Sequence, residues 1–221
     1  MIQITIHRAL AKIKTTEKRI QSLLRDGVFV SSVVGQTQVT PSGRSVKDVS
    51  AEIRSNYDSV VSLLDNYEAL KLAVIRSNSG ITKETSGLEE TKVGDKDMLV
   101  AEIIAKQKYA MPLRKAFIST LAEQLNKVSR EIERVNARVH DNLPNVLSNI
   151  ANGSKETLSE AQVSSITETY YQNNSCFIVD PLKLQETIKK HQKEYDEFMD
   201  EADSRLSEVN ALKLIEVSLN E

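Results

Sequence analysis

Apolar residues recur along this chain at two different periods, and each change of period marks an element. Ile6, Leu10, Ile13, Ile20 and Leu24 follow steps of four, three and seven, which line one face of a helix turning every 3.6 residues or so. Thr5 is placed to cap that helix and Gly27 to stop it. The period then shortens: "VFVSSVVGQTQVTPSGRS" clusters β-branched residues around Gly35, with a turn signal at Pro41-Ser42-Gly43, the pattern of a small hairpin or extended loop at about 28–45. Ser45 opens a second helix along Val46, Val49, Ile53, Tyr57, Val60, Leu64, Tyr67 and Val74, which ends in "SNSG". Two short β-favouring runs joined by Ser86-Gly87 predict a second hairpin at about 81–93.

A long third helix is expected from about Asp97, with Pro112 kinking or dividing it because proline lacks the backbone donor and crowds the preceding turn. Beyond the proline, Leu121, Leu125, Val128, Ile132, Val135 and Val139 alternate steps of four and three. This is a coiled-coil-like seam suited to helix packing or to an oligomer contact. Pro144 and Gly153 break the pattern, so 141–175 reads as a variable connection around short helices, one of them capped by Ser159. "CFIVDP" is strand-like and leads to Asp180 as an N-cap with Pro181 at the first helical position. Leu184, Ile188, Tyr195, Phe198, Ala202, Leu206 and Val209 form the stripe of a last helix, and "LKLIEVSL" alternates weakly, as a terminal strand would. The prediction is a mainly α protein. It is an elongated bundle of long antiparallel helices in a single domain, kinked near Pro112 and decorated with small hairpins.

Composition agrees with helices. The 221 residues include only 7 Gly, 4 Pro and no Trp, with 40% hydrophobic and 27% charged side chains. A net charge of -2 gives no overall reason to expect nucleic acid or a membrane as partner. Charge is uneven, however. Residues 1–26 carry Arg8, Lys12, Lys14, Lys18, Arg19 and Arg25 against Glu17 and Asp26, whereas residues 181–221 carry six basic against ten acidic side chains. Such ends attract one another within a fold or between copies. No long apolar run or leader pattern occurs, so a cytoplasmic protein is expected.

The single cysteine, Cys176, leaves no internal disulfide and no cysteine-based zinc site. His7, His140 and His191 stand far apart and outside any metal-spaced motif, and no catalytic or cofactor signature is present. No cofactor and no enzymatic activity are therefore expected. Polar residues at two helix ends are the remaining candidates. Ser77 and Asn78, followed by Thr82, interrupt one apolar run, and Ser207, Glu208 and Asn210 interrupt another. If the ends meet, Ser77, Asn78, Thr82, Glu208 and Asn210, with Arg76 nearby, form either a hydrogen-bond network that fixes the fold or a site for a small polar, nucleotide-like ligand.

Four stretches carry a resemblance: "IHRALAKIKTTEKRIQSLL", "AVIRSNSGIT", "MLVAEIIAKQ" and the C-terminal "VDPLKLQETIKKHQKEYDEFMDEADSRLSEVNALKLIEV". Together they resemble the septicolysin-like family of small helical bacterial proteins, and more nearly related proteins encoded by tailed phages. The resemblance implies a helical fold and brings no established reaction. It places the family's asparagine and threonine on Asn78 and Thr82, and its C-terminal acidic residue and asparagine on Glu208 and Asn210. The 28–45 hairpin and the 140–175 region are longer here than in that family. Two functions are expected. The first is a non-enzymatic, phage-encoded homo-oligomer acting through protein contacts as a virion or accessory component. The alternative is a protein that sequesters a small nucleotide-type signal, an anti-defence role.

Overall fold

The computed structural model describes residues 3–35, 39–40, 42–79, 90–93, 96–153 and 158–212. Thr82, most of the 81–93 segment and all of the "LKLIEVSL" tail after Leu212 lie outside them. The fold is mainly α with two small antiparallel two-stranded sheets. In chain order the elements are α1 (Ile6–Asp26), β1 (Ser31–Val34), α2 (Val46–Asn78), β2 (Glu90–Val93), β3 (Lys96–Leu99), α3 (Val100–Ala105), a π turn (Lys106–Ala110), α4 (Met111–Gly153), α5 (Glu160–Asn174), β4 (Cys176–Val179) and α6 (Leu184–Leu212). Among the described residues no helix is long and apolar enough to cross a membrane.

The chain divides into two compact units. Unit 1 comprises Met1–Arg25, Ser59–Ser119 and Ile188–Glu221, and unit 2 comprises Asp26–Asp58 and Thr120–Thr187. In unit 1 the α1 face is set by Ala9, Ile13 and Ile20, all buried, while Ile6 and Leu10 are exposed. The buried stripe thus lies to one side of the one expected. Another unit 1 cluster joins Val93, Met98, Ile103 and Ala202, with Leu72, Phe198 and Leu206 packed against it. The hairpin is β2–β3, Glu90↔Leu99 to Val93↔Lys96. β2 falls within the expected 81–93 segment, whose other residues lie outside the described ones, and β3 takes residues 97–99, where the sequence predicts the start of the long helix. Met98 and Leu99 are both buried next to the exposed Asp97, so the strand rests on pairing with β2 rather than on an alternating pattern. Helix α3 starts at Val100, where the Glu102 side chain reaches back to the Leu99 N–H at 3.0 Å.

The expected interruption near Pro112 takes the form of the π turn. The Met111 N–H donates to the Lys106 carbonyl, five residues back, and Pro112 follows at once, so the widened turn falls where the proline cannot donate to the preceding turn.

In unit 2, β1 pairs not within a 28–45 hairpin but with β4, from Ser31↔Val179 to Val34↔Cys176. The Val39↔Ser45 bridge is the described pairing inside that segment. Gly35, at φ +65°, turns the chain out of β1, and its N–H donates to the Ser175 carbonyl, extending the ladder. Val49, Ile53 and Val179 form the adjoining core, with Val33, Val46 and Leu182 against it. The seam on α4 begins with the fully buried Leu121 and continues through Leu125, Val128, Ile132, Val135 and Val139, all half-buried. Two amides on α4 hold incoming backbone. Gln124 accepts from the Phe29 N–H and donates to the Gly27 carbonyl, and Asn136 does the same with both backbone groups of Cys176.

Much of the expected variable connection is helix. Half-buried Leu143, Val146 and Leu147 continue the seam through Pro144, so packing of an established helix outweighs the roughly 3 kcal/mol a helical proline costs. A full capping box, Ser159 with Gln162, starts α5. Asp180 does cap, accepting from the Leu182 and Leu184 N–H groups. The helix itself begins at Leu184, because a turn with Lys183 at φ 51° intervenes.

Candidate functional site

On α2, Leu64 and Leu72 are one helical turn before and after Glu68, so the acid is carried on an apolar face. Lys106 opens the π turn, Arg114 follows one turn into α4, and His191, Tyr195 and Phe198 recur along one face of α6. These residues line a cavity of about 600 Å³ in unit 1, completed by Met111, Phe117 and Ile118. Its volume falls in the range of small-molecule sites.

A charge network forms one wall. Lys106 Nζ lies 2.8 Å from Glu68 Oε1, and Arg114 reaches Glu68 Oε2 at 3.0 Å and Asp65 Oδ1 at 2.8 Å. The Glu68 and Lys106 side chains are only 12% and 14% exposed, against 62% for Asp65. Burial alone would raise the Glu68 carboxyl, but hydrogen bonding and charge from Lys106 and Arg114 outweigh it and hold the group below its ordinary range. Burial likewise works against the Arg114 charge, and Glu68 with Asp65 overcomes it, so this guanidinium is firmly protonated. Lys106 Nζ also stands 4.3 Å above the Phe198 ring, a favourable cation–π placement. Glu68 thus has both oxygens engaged.

The opposite wall is set by α6. His191 packs its ring 5.8 Å from that of Phe117, and its Nδ1 lies 3.5 Å from Glu194 Oε2. Burial lowers the His191 pKa in spite of Glu194, so the imidazole is neutral at pH 7. The lining as a whole holds three carboxylates, Asp65, Glu68 and Glu194, against two cations. With Glu68 committed, the acceptor capacity that faces solvent belongs to Asp65 and Glu194, both exposed.

Arg76, expected among the polar residues at the α2 end, makes a bidentate pair with Glu102, Nε to Oε1 at 3.0 Å and Nη2 to Oε2 at 2.8 Å. The pair borders a smaller space of about 410 Å³ that Lys106 and Glu68 also line. Ser77 and Asn78 are exposed at the end of α2, Glu208 pairs with Arg205 at 2.8 Å on its own helix, and Asn210 is exposed. Among the described residues no hydrogen bond joins these two helix ends, and Thr82 lies outside them. The residues that do converge, Glu68, Lys106, Arg114 and His191, carry no spacing signal that sets them apart from the other charged residues of their helices.

No protein-family model matches the chain, and no curated protein or solved structure is significantly similar to it.

Proposed function

We propose that the protein is a binding protein without catalytic function, and that it takes up a small, donor-rich, neutral or cationic molecule in the unit 1 cavity. The observation that carries this reading is the cavity of about 600 Å³ with an ion network already assembled in its wall and exposed carboxylates at its rim. A preassembled network lowers the reorganisation that binding demands. Tyr195 offers flat apolar contact to a ring beside Phe198, one face of which Lys106 covers, and Asp65 and Glu194 offer acceptors to its polar edge. Amines and amino-substituted heterocycles fit this chemistry better than phosphates, which the carboxylate excess repels.

Thermal-shift measurements with amines, purine nucleosides and nucleoside triphosphates test the reading. A rise in melting temperature with amines or nucleosides is expected, and it should be lost in Glu194→Gln and Asp65→Asn. A panel that leaves wild type unmoved, or a shift that survives both substitutions, refutes it.

Phe177 and Ile178 of unit 2 favour a second reading, a homo-oligomer acting through protein contacts as a phage-encoded accessory or virion component. These large apolar side chains, consecutive on β4 and so on opposite faces of the strand, are 51% and 45% exposed. Light scattering decides this one. A monomer at high concentration, unchanged by Phe177→Ser, ends it.

A further inference from the structure

A second surface of unit 1 has the opposite electrostatic character. The groove between α1 and α2 is lined by Arg8, Lys12 and Arg19 on one side and by Ser59, Ser62 and Asn66 on the other, in two adjoining spaces of about 620 and 460 Å³ that share Arg19 and Leu63. Among its described lining residues there is no carboxylate. Nor, among the described residues, does an ion pair join Arg8, Lys12 or Arg19 to an acid. Of the six cations on α1, helical geometry places these three within about 40° of one another, and it turns Lys14 and Lys18 well away. Arg8 and Lys12 are one turn apart, about 6 Å along the axis, and Arg19 lies about 10 Å further on.

We propose that this groove binds a ligand carrying two or more phosphate groups. Three cations in file along more than one helical turn, with no internal anion to neutralise them, match an extended polyanion better than a single charge. Hydroxyl and amide groups on the facing wall are the donors that phosphate oxygens accept from. The proposal rests on the groove alone and stands whether or not the cavity is occupied. Chemistry shared by a free polyphosphate and a phosphodiester chain is what the groove selects, so the test separates those sources.

Binding is measured on the full chain by calorimetry at low salt, with inorganic tripolyphosphate, a six-nucleotide thymidine oligomer and hexaglutamate as ligands. Tripolyphosphate or the oligomer should bind, and whichever binds more tightly names the source. The double variant Arg8→Ala/Lys12→Ala should weaken that binding roughly tenfold, the effect of losing charged hydrogen bonds, and flatten its salt dependence by about 1 to 2 logarithmic units per decade. Lys14→Ala/Lys18→Ala, equal in charge removed but off the groove, should bind like wild type. Circular dichroism confirms that both variants are folded. Absence of binding to either phosphate ligand, equal losses in the two double variants, or hexaglutamate binding as tightly as the phosphates overturns the proposal.

Discussion

Replacing Glu68 with glutamine tests the ion network at its centre. Wild-type Glu68 accepts from Lys106 on one oxygen and from Arg114 on the other, with the first two side chains nearly removed from solvent. Glutamine keeps the shape, loses the charge and turns an N–H₂ group toward one of the two cations. Removing one member of a buried ion pair costs about 3–5 kcal/mol, most of it from the charge left behind. Arg114 retains Asp65, and the cavity admits water, so a cost of roughly 2–3 kcal/mol is expected. That is a large share of the 5–15 kcal/mol or so that holds a domain together. Urea denaturation followed by circular dichroism reads it as a lowered midpoint with little change in slope. The double variant Glu68→Leu/Lys106→Met removes both desolvated charges, and it should be more stable than Glu68→Gln by about 1–3 kcal/mol. The network also predicts a pH dependence of definite sign. Because the folded carboxyl titrates below its ordinary value near 4.5, its stabilisation is complete above that value and disappears as pH falls through the folded pKa. The difference between wild type and Glu68→Gln must therefore narrow below about pH 4.5. A single substitution that costs under about 0.5 kcal/mol, or a difference that persists unchanged into acid, refutes the network as a stabilising element.

Three further outcomes are expected. His191 is held neutral by burial, so the unfolded chain takes up a proton first as pH drops below about 6.5, and stability should decline until the lower folded pKa is passed; His191→Gln should flatten that decline in denaturation measured between pH 7 and 5. Gly35→Ala should cost at least about 2 kcal/mol, since a Cβ there would meet the Asn173 carbonyl oxygen at 2.2 Å on a backbone at φ +65°, whereas Gly43→Ala, equally left-handed but in open space, should cost only about 1 kcal/mol; thermal melts compare the two. Asn136→Ala removes the amide that bonds both the N–H and the carbonyl of Cys176 and should destabilise by about 1–3 kcal/mol, with faster amide exchange in β4 than in β2 and β3.

Helical periodicity identifies the long elements because each stripe holds fully buried anchors, Ile13 and Ile20 in α1, Ile53, Val60 and Leu64 in α2, Leu121 in α4, and Leu184 and Ala202 in α6, with half-buried apolar residues between or beyond them. Both β1 and β4 were visible as β-branched runs, but not as partners, since pairing between Ser31 and Val179 is fixed by how helices bring two distant segments together. The turn signal at 41–43 is matched locally, where Val39 bridges Ser45 and the Thr40 N–H donates to the Arg44 carbonyl, but a local signal carries no information on the partner of β1. Pro144 misled for the opposite reason: a strong local breaker is tolerated when the helix on both sides is packed. The cavity was the least legible feature. Glu68 meets Arg114 from 46 residues away, and nothing in the spacing of either announces the other. Taken alone, each charge reads as part of a solvated face. Arg76 was singled out as polar material at a helix end, and its partner, Glu102, was not.

The distribution of charge in unit 1 links the two proposed binding surfaces. Val61, Leu64, Asp65, Glu68 and Leu72 present one flank of α2 to the cavity, while Ser59, Ser62, Asn66 and Leu70 present another flank to the groove. Acidic side chains gather on the first flank and are absent from the second, although the two are only a helix diameter, about 10 Å, apart. Had the cavity been selected to hold phosphates, Lys106 and Arg114 would be wasted there, since Glu68 and Asp65 already neutralise them. Had the groove been merely a solvated basic face, its cations would be expected to pair with acids one turn along, as Arg134 does with Glu131 and Lys193 with Glu197. If both proposals hold, the phosphates of a nucleotide-type ligand would find complementary charge in the α1–α2 groove and its base in the cavity, not at the ends of α2 and α6 where the sequence placed such a ligand. Separate variants at Arg8 and Glu194 distinguish one ligand from two, because loss of phosphate binding with amine binding intact is possible only if the surfaces act independently.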